Sequence, residues 1–136
     1  MRLRKNAKLE LLAKVPLFAE CSKRELQQIA LIADELDLPS GTVLIREGER
    51  GREFFVLVSG SLSVSKKGRR VAALASGTWV GELALLSDQP RNATVTATSP
   101  VQVLVITDRA FQGLVRRSPS IALKVLAGVS ERLQPE

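Results

Sequence analysis

The sequence contains no histidine and a single cysteine, Cys21. Histidine is the commonest general base and metal ligand at neutral pH, and one cysteine can form neither an intramolecular disulfide nor a thiolate metal site. These absences argue against most hydrolases and metalloenzymes, so we expect no catalytic residues, no metal ion and no cofactor. A single thiol also fits a reducing compartment, which favours the cytoplasm.

Long apolar runs are missing too. No stretch approaches the ~20 residues that cross a bilayer, and the basic start, MRLRK, is not followed by the apolar core and cleavage site of a signal peptide. We therefore expect no membrane insertion. The chain has no internal repeat, low-complexity tract or long linker, so its 136 residues predict a single domain over 1–136.

Positive charge is in moderate excess, with 20 Lys and Arg against 14 Asp and Glu. A balance of +6 favours an anionic ligand, nucleic acid or an acidic surface. The basic residues are spread over the segments MRLRK, KKGRR and VRR, and no aromatic residue lies among them to stack on bases. A solvated surface is therefore the favoured interpretation over nucleic-acid binding.

Helical patterns occupy residues 1–35. A short helix is predicted over Asn6–Lys14. Ser22 and Glu25 have the spacing of a capping box, and apolar residues recur after them at helical intervals. This pattern predicts a second helix from Lys23 to about Asp34.

Residues 36–107 change to short runs with period two, separated by glycine, proline and serine. In ATVTATS, which starts at Ala93, alternate residues would face inward and the threonines outward. Seven or eight antiparallel strands at this spacing predict a sandwich or jelly roll. The predicted strands are DELDLP, TVLIRE, FFVLVSG, SLSVSK, RVAALA, ATVTATS and VQVLVIT.

Residues 108–136 return to a helical pattern. Asp108 is the predicted N-cap of a helix over Arg109–Arg116. A last helix starts after Ser118, where Pro119 fits the first turn, and it carries an apolar stripe. The stripe consists of Ile121, Val125, Val129 and Leu133.

The segment GELALLSDQPRNAT, residues 81–94, breaks the strand alternation without being a simple turn. ELALLS favours a helix opened by a glycine, and the first turn of such a helix presents unpaired N–H groups that can hold an anion. Arg91 follows Pro90, where a planar guanidinium could grip a phosphate with two parallel hydrogen bonds. From these residues alone, a packed helical turn with Arg91 as one more exposed cation is an equally good interpretation.

The spacing of this segment favours the anion site, because G-E-x-A-L, a short insertion and P-R-x-A-T-V resemble the phosphate-binding cassette of the cyclic-nucleotide-binding domain family. VPLF and the helix after it, PSGTVLIREGE, FFVLVSGSLSV and the closing helices are also similar to that family. The resemblance covers roughly residues 10–133. It implies an α+β, mainly β fold: an antiparallel jelly-roll core of about eight strands with flanking N-terminal and C-terminal helices.

The resemblance implies a role for each residue of the cassette. Arg91 would pair with the exocyclic oxygens of the cyclic phosphate, and backbone N–H groups near Ala84 and of Ala93 would complete the cradle. Glu82 would accept a hydrogen bond from the ribose 2′-hydroxyl, with Gly81 letting the backbone approach the sugar. The predicted ligand-binding residues are Gly81, Glu82, Leu83, Ala84, Arg91, Asn92 and Ala93.

Two residues depart from the family pattern. Val80 stands where an aromatic is frequent, which should alter packing more than phosphate capture. Asn92 stands directly after the arginine, at a position that influences the choice between adenine and guanine. An amide can both donate and accept. The base is therefore left open, with cAMP favoured over cGMP.

The resemblance also implies a mechanism in which ligand binding repositions the helices after Asp108, and the last helix covers the base. We therefore expect a sensor or regulatory domain, not an enzyme, that acts on a protein effector through its C-terminal helices and can form a homodimer. The alternative is an interaction domain of the same fold that has lost the ligand and docks a partner through its last helix. The start at Met1 favours a stand-alone sensor over an excised regulatory fragment.

Overall fold

The computed structural model describes residues 3–86 and 89–133. The chain divides into two compact units. One unit joins the residues up to Ala33 with those from Arg109 onward, and it is helical. The other runs from Asp34 to Asp108 and contains the strands. Among the described helices, none combines the length and the apolar character needed to cross a membrane.

The helical part begins with two helices, of which the second has an N-terminal capping box. The capping box predicted for the second helix is confirmed, because the Ser22 hydroxyl accepts from the Glu25 N–H at 3.2 Å and the Glu25 carboxylate accepts from the Ser22 N–H at 2.8 Å. This helix ends at Leu31, so the prediction that it reaches Asp34 is wrong: Asp34 pairs with Val105 in a sheet instead. The helical elements are α1 (Lys5–Ala13), a 3₁₀ turn (Pro16–Phe18), α2 (Lys23–Leu31), α3 (Asp108–Arg117) and α4 (Pro119–Leu133).

Asp108 is the first residue of α3 and not the residue before it. In the apolar stripe predicted for α4, Ile121 and Val125 are buried, whereas the side chains of Val129 and Leu133 lie outside the described residues. The stripe is therefore confirmed over its first half.

The last helix packs against the 3₁₀ turn near the start of the chain. The two backbones approach closely at Gly128, where a Cβ atom would lie 2.8 Å from the Pro16 carbonyl oxygen and 2.9 Å from that of Leu17. Real side chains do not tolerate such distances, so this approach of two backbones requires glycine.

The sheet unit consists of two four-stranded antiparallel sheets with the orders β1-β8-β3-β6 and β2-β7-β4-β5. The antiparallel sandwich of about eight strands is therefore confirmed. The two-residue strand β6 is not among the predicted strands, since two residues are too few to show a period. The strands are β1 (Asp34–Leu38), β2 (Val43–Ile45), β3 (Glu53–Ser59), β4 (Leu62–Lys66), β5 (Arg69–Leu74), β6 (Trp79–Val80), β7 (Thr94–Ala97) and β8 (Val101–Thr107).

The core of the sandwich is built from alternate residues of both sheets. In β7, Val95 and Ala97 are buried together with the preceding Ala93, whereas the threonines between them are more exposed, so the alternation predicted for ATVTATS is confirmed. Each fully buried aliphatic side chain contributes roughly 1.5–3 kcal/mol of transfer free energy. The core residues are Ile45, Phe55, Leu57, Leu62, Val95, Ala97, Val101, Val103 and Val105.

Candidate ligand-binding site

A cavity of ≈ 160 Å³ opens in the sheet unit. Most of its lining residues are aliphatic, and the others are Gly81 and the polar residues Arg91 and Asn92. A wall of this kind suits a ligand with an apolar body and an anionic end. The lining residues are Ile45, Val64, Val80, Gly81, Arg91, Asn92, Ala93 and Val95.

Gly81 connects strand β6 to the segment that follows it. Its φ of +80° lies in the left-handed region that favours glycine. A Cβ atom here would lie 2.6 Å from Arg91 Nη1 and 2.9 Å from the carbonyl oxygen of Glu53. Both the backbone conformation and the close approach of Arg91 therefore require a glycine at this position.

Over residues 82–86 the helix predicted for ELALLS is reduced to a 3₁₀ turn, Glu82–Leu85, and Ser87, the last residue of that segment, lies outside the described residues. Strand pairing fixes the chain on both sides of this turn, because Val80 pairs with Phe55 and Pro90 forms a bridge with Arg50. The prediction of a regular helix is therefore wrong. A four-residue turn has only a small dipole, so anion binding here depends on side chains and individual N–H groups.

The backbone of Arg91 is fixed by the loop after β2. Its N–H donates to the carbonyl oxygen of Glu49 at 2.8 Å, and its own carbonyl accepts from the N–H of Gly48 at 2.9 Å. These two bonds set the position from which the side chain extends.

The Arg91 side chain lies against backbone carbonyls. Nη2 donates to the oxygen of Glu53 at 2.5 Å, and Nη1 makes a longer contact of 3.4 Å with that of Gly81. The guanidinium lies directly over Gly51, where a Cβ atom would overlap it. Burial lowers the pKa of Arg91 and the Glu53 carboxylate acts in the opposite sense, but an arginine stays charged in proteins. A guanidinium has five N–H donors, so donors remain for an oxyanion.

Glu82 is a buried carboxylate in the 3₁₀ turn, 7% exposed. The turn packs against β3. The Oε2 atom accepts no hydrogen bond from the described residues, although the residue does make another polar interaction. Buried carboxylates in proteins are normally paired or hydrogen-bonded, so Oε2 is a suitable acceptor for a hydroxyl group.

The structure brings four of the seven predicted residues to the cavity wall, namely Gly81, Arg91, Asn92 and Ala93. Glu82 and Ala84 are buried in the adjoining turn and do not line the cavity. The Ala84 N–H already donates to the carbonyl oxygen of Gly81 at 3.0 Å. The side chain of Leu83 lies outside the described residues.

The aliphatic wall was not predicted as part of the site. It consists of Ile45, Val64, Val80 and Val95. Three of its residues, Ile45, Val64 and Val95, lie in strands predicted from their alternation, which could have found them once the cavity was placed between the strands. Val80 lies in the two-residue strand β6, which shows no period. Among the residues that the structure describes, no group of acidic or cysteine side chains could hold a metal ion.

Residues 35–118 match the cyclic nucleotide-binding domain family. The chain belongs to this family. The family consists of regulatory binding domains, as the cassette resemblance implied.

Three relatives illustrate the membership. The cyclic nucleotide-gated potassium channel of Mesorhizobium japonicum is 38% identical over 113 residues, which are 83% of this chain and 31% of the channel. A cAMP-dependent protein kinase regulatory subunit of Hypocrea atroviridis is 35% identical over 127 residues, 88% of this chain and 27% of the subunit. The cGMP-dependent protein kinase of Caenorhabditis briggsae is 33% identical over 114 residues, 79% of this chain and 15% of the kinase. The chain thus spans less than a third of each.

Solved structures agree with the fold. The N-terminal domain of a transcriptional regulator from Streptomyces coelicolor superposes with a TM-score of 0.83 at 26% identity and covers 90% of this chain and 91% of that one. The cAMP-bound PfPKA-R superposes with a TM-score of 0.69 at 27% identity, over 93% of this chain and 47% of that one. The predicted jelly-roll class is therefore confirmed, and the chain is a cyclic nucleotide-binding regulatory domain.

Proposed function

We propose that this domain is a sensor that binds cAMP in the cavity, with cGMP bound less tightly, and that it has no catalytic activity and needs no cofactor. The observation that carries the proposal is the position of the Arg91 guanidinium, which is charged, half-buried and located on the wall of an otherwise aliphatic cavity. A cyclic phosphate carries one negative charge on two exocyclic oxygens, which matches a guanidinium fork. The relatives named for cAMP and for cGMP support this ligand class.

The phosphate is held by Arg91 and the backbone N–H of Ala93. Arg91 reaches it by exchanging the long contact with the Gly81 carbonyl for two charge-assisted bonds to the ligand. The Ala84 N–H joins the cradle only if its 3.0 Å bond to Gly81 opens.

The sugar lies beside Gly81. Glu82, whose carboxylate is buried in the adjoining turn, accepts from the 2′-hydroxyl only if that carboxylate becomes accessible from the cavity. A carboxylate so close to a phosphate would be repulsive without a hydroxyl donor between the two. Pockets that enclose a whole drug-sized ligand measure about 300–1,000 Å³. At ≈ 160 Å³ the cavity suits the sugar and phosphate and leaves the base at its mouth. Asn92 is exposed there and is positioned to contact the base.

Calorimetric titration of the purified chain with cAMP and with cGMP tests the proposal. We expect binding of both, with cAMP tighter, and weaker binding of 5′-AMP, whose open phosphate has a different shape and charge. A ligand at 100 times its Kd stabilises the fold by about 2.7 kcal/mol, so a rise in Tm must accompany the heat. If neither cyclic nucleotide gives heat or a Tm shift at millimolar concentration, the proposal is wrong.

We further propose that ligand binding repositions α3 and α4 and that a protein effector recognises the change. Helix α4 has one buried side, with Ile121 and Val125, and an exposed side with Leu123 (68% exposed) and Leu126 (65% exposed). Exposed leucines that lie three residues apart on a helix share a face and can contact a partner. Hydrogen exchange of the α4 amides should therefore change when cAMP is added.

The same exposed leucines favour a second candidate, a domain that docks its partner without any nucleotide. This alternative predicts that α4 exchange and effector affinity are identical with and without saturating cAMP. Equal affinities would refute the sensor proposal even if the nucleotide binds.

A further inference from the structure

The hairpin between β4 and β5 is strongly basic at its tip. Residues 66–70 read KKGRR and all five are exposed. Lys67 has a φ of 51° and Gly68 a φ of +79°, and two successive positive values are what a tight two-residue hairpin turn of type I′ requires. Four cations are therefore held together on a short, well-defined turn.

Strand alternation places Lys66 and Arg69 on the cavity side of the sheet. Val64 lines the cavity, and Lys66 follows two residues later on the same face. Arg69 is the cross-strand partner of Lys66, and direct partners share a face. These two cations continue the cavity wall beyond its aliphatic part.

The hairpin tip is also fixed next to the phosphate end of the site. Strand β7 pairs with β4 as far as Thr94, which lies opposite Ser65, so Lys66 and Ala93 are the next residues along the two strands. Glu47 connects the two strands: its N–H donates to Thr94 Oγ1 at 3.0 Å, and its Oε1 accepts from the Lys67 N–H at 2.9 Å. The basic tip therefore stays beside Ala93.

The charge at this place is only partly compensated. Glu47 is the acidic neighbour, and its carboxylate is occupied by the backbone of Lys67. Within the described part of the chain, neither Lys66 nor Arg69 forms an ion pair. Because Lys66 follows Ser65 and Ala93 precedes Thr94, which are the last paired residues, their backbones lie within the Debye length of about 10 Å at 0.1 M salt. An anion approaching the cavity therefore experiences both charges.

We infer that Lys66 and Arg69 form an electrostatic rim that accelerates the capture of the anionic ligand. The inference rests on the proposed function and assigns the association and dissociation rates of the ligand to different residues. Fixed charges at the mouth of a cleft raise the association rate constant, whereas groups in direct contact with the bound ligand mainly set its dissociation. The rim thus sets the association rate constant, and Arg91 sets the dissociation rate constant.

Stopped-flow binding of a fluorescent cAMP analogue tests the rim. For K66Q/R69Q we expect an association rate constant lower by about three- to tenfold at about 0.01 M salt, and little difference at about 1 M salt, where the Debye length is only about 3 Å. The dissociation rate constant should stay within about twofold of the wild-type value. Circular dichroism verifies that the variant is folded.

Two matched variants separate position from charge. K66R/R69K keeps both charges and should associate like wild type. K67Q/R70Q removes the same charge from the turn and from the opposite face, since Arg70 pairs with Ser65, and should slow association less. Equal slowing by the two glutamine pairs would assign the effect to net charge and overturn the rim.

If wild type binds no cyclic nucleotide, the proposed function itself fails. If it binds and K66Q/R69Q associates at the wild-type rate at low salt, only the rim is refuted.

Discussion

Arg91→Ala removes the cation that the cavity presents to the phosphate. In the ligand-free domain the substitution removes the donor of the 2.5 Å bond to the Glu53 carbonyl and of the 3.4 Å contact with Gly81. Because Arg91 is only half-buried, water can replace it at both oxygens, and we expect a modest loss of about 0.5–1.5 kcal/mol in the free energy of unfolding.

The loss of binding should be larger than the loss of stability. Bonds from a charged donor contribute roughly 1.5–3 kcal/mol, which corresponds to an increase in Kd of about 10- to 100-fold. Arg91→Lys is the matched variant: it keeps a point charge and loses the planar fork, so we expect its Kd to lie between those of wild type and Arg91→Ala.

Calorimetric titration of the three proteins with cAMP measures these differences directly, and denaturant unfolding shows that each variant is folded. A Kd for Arg91→Ala within about threefold of wild type would mean that the guanidinium does not hold the phosphate. Equal Kd values for Arg91→Lys and wild type would mean that Arg91 contributes only its positive charge and not its planar shape.

Four further outcomes are expected. Gly81→Ala should lower the free energy of unfolding in urea by about 1–3 kcal/mol, because the added Cβ combines a φ of +80° with a steric overlap. Gly41→Ala is the control, since Gly41 has a φ of +90° and nothing within 4 Å of the added Cβ. Equal losses of stability in the two variants would show that the overlap contributes nothing. Ser22→Ala should lower the free energy of unfolding by about 0.5–2 kcal/mol through loss of the N-cap, and an unchanged urea midpoint would contradict this. A hydrogen bond from the Ser22 backbone lowers the pKa of Glu25, so the stabilisation from its carboxylate is present above the unfolded pKa and disappears as the pH falls through the lower folded value. The stability difference between wild type and Glu25→Gln should therefore shrink below about pH 4.3, and a difference that does not change with pH would refute the assignment. Burial raises the pKa of the Cys21 thiol to about 11, so its alkylation at neutral pH should be about 100-fold slower than in the urea-unfolded chain.

Local signals predicted the parts of the fold that depend on neighbours in sequence. The capping box of Ser22 and Glu25 needs only residues within one turn, and the alternation after Ala93 needs only one strand with a buried face. Where residues distant in sequence determine the secondary structure, the prediction from the local pattern was wrong. Asp34 continues a helical pattern but pairs with β8, because strand pairing outweighs a weak helix propensity.

The site shows the same limit. The sequence singled out Arg91 and Gly81, which both line the cavity, because the cassette is contiguous. It overestimated the helix between them. The length of that helix is limited by the pairing of Val80 and Pro90 with other parts of the sheet unit. The contact of Arg91 with Glu53, 38 residues away, depends on the assembled sandwich and has no sequence signature.

The backbone contact at Gly128 has a mechanical consequence. Side chains can change rotamer and let two elements slide, but a peptide backbone pressed against the carbonyls of Pro16 and Leu17 has no such freedom. We therefore expect a displacement of α4 toward the 3₁₀ turn to move that turn as well. Because α1 packs against both the 3₁₀ turn and α2, a partner that contacts only α1 or α2 would then respond to the displacement.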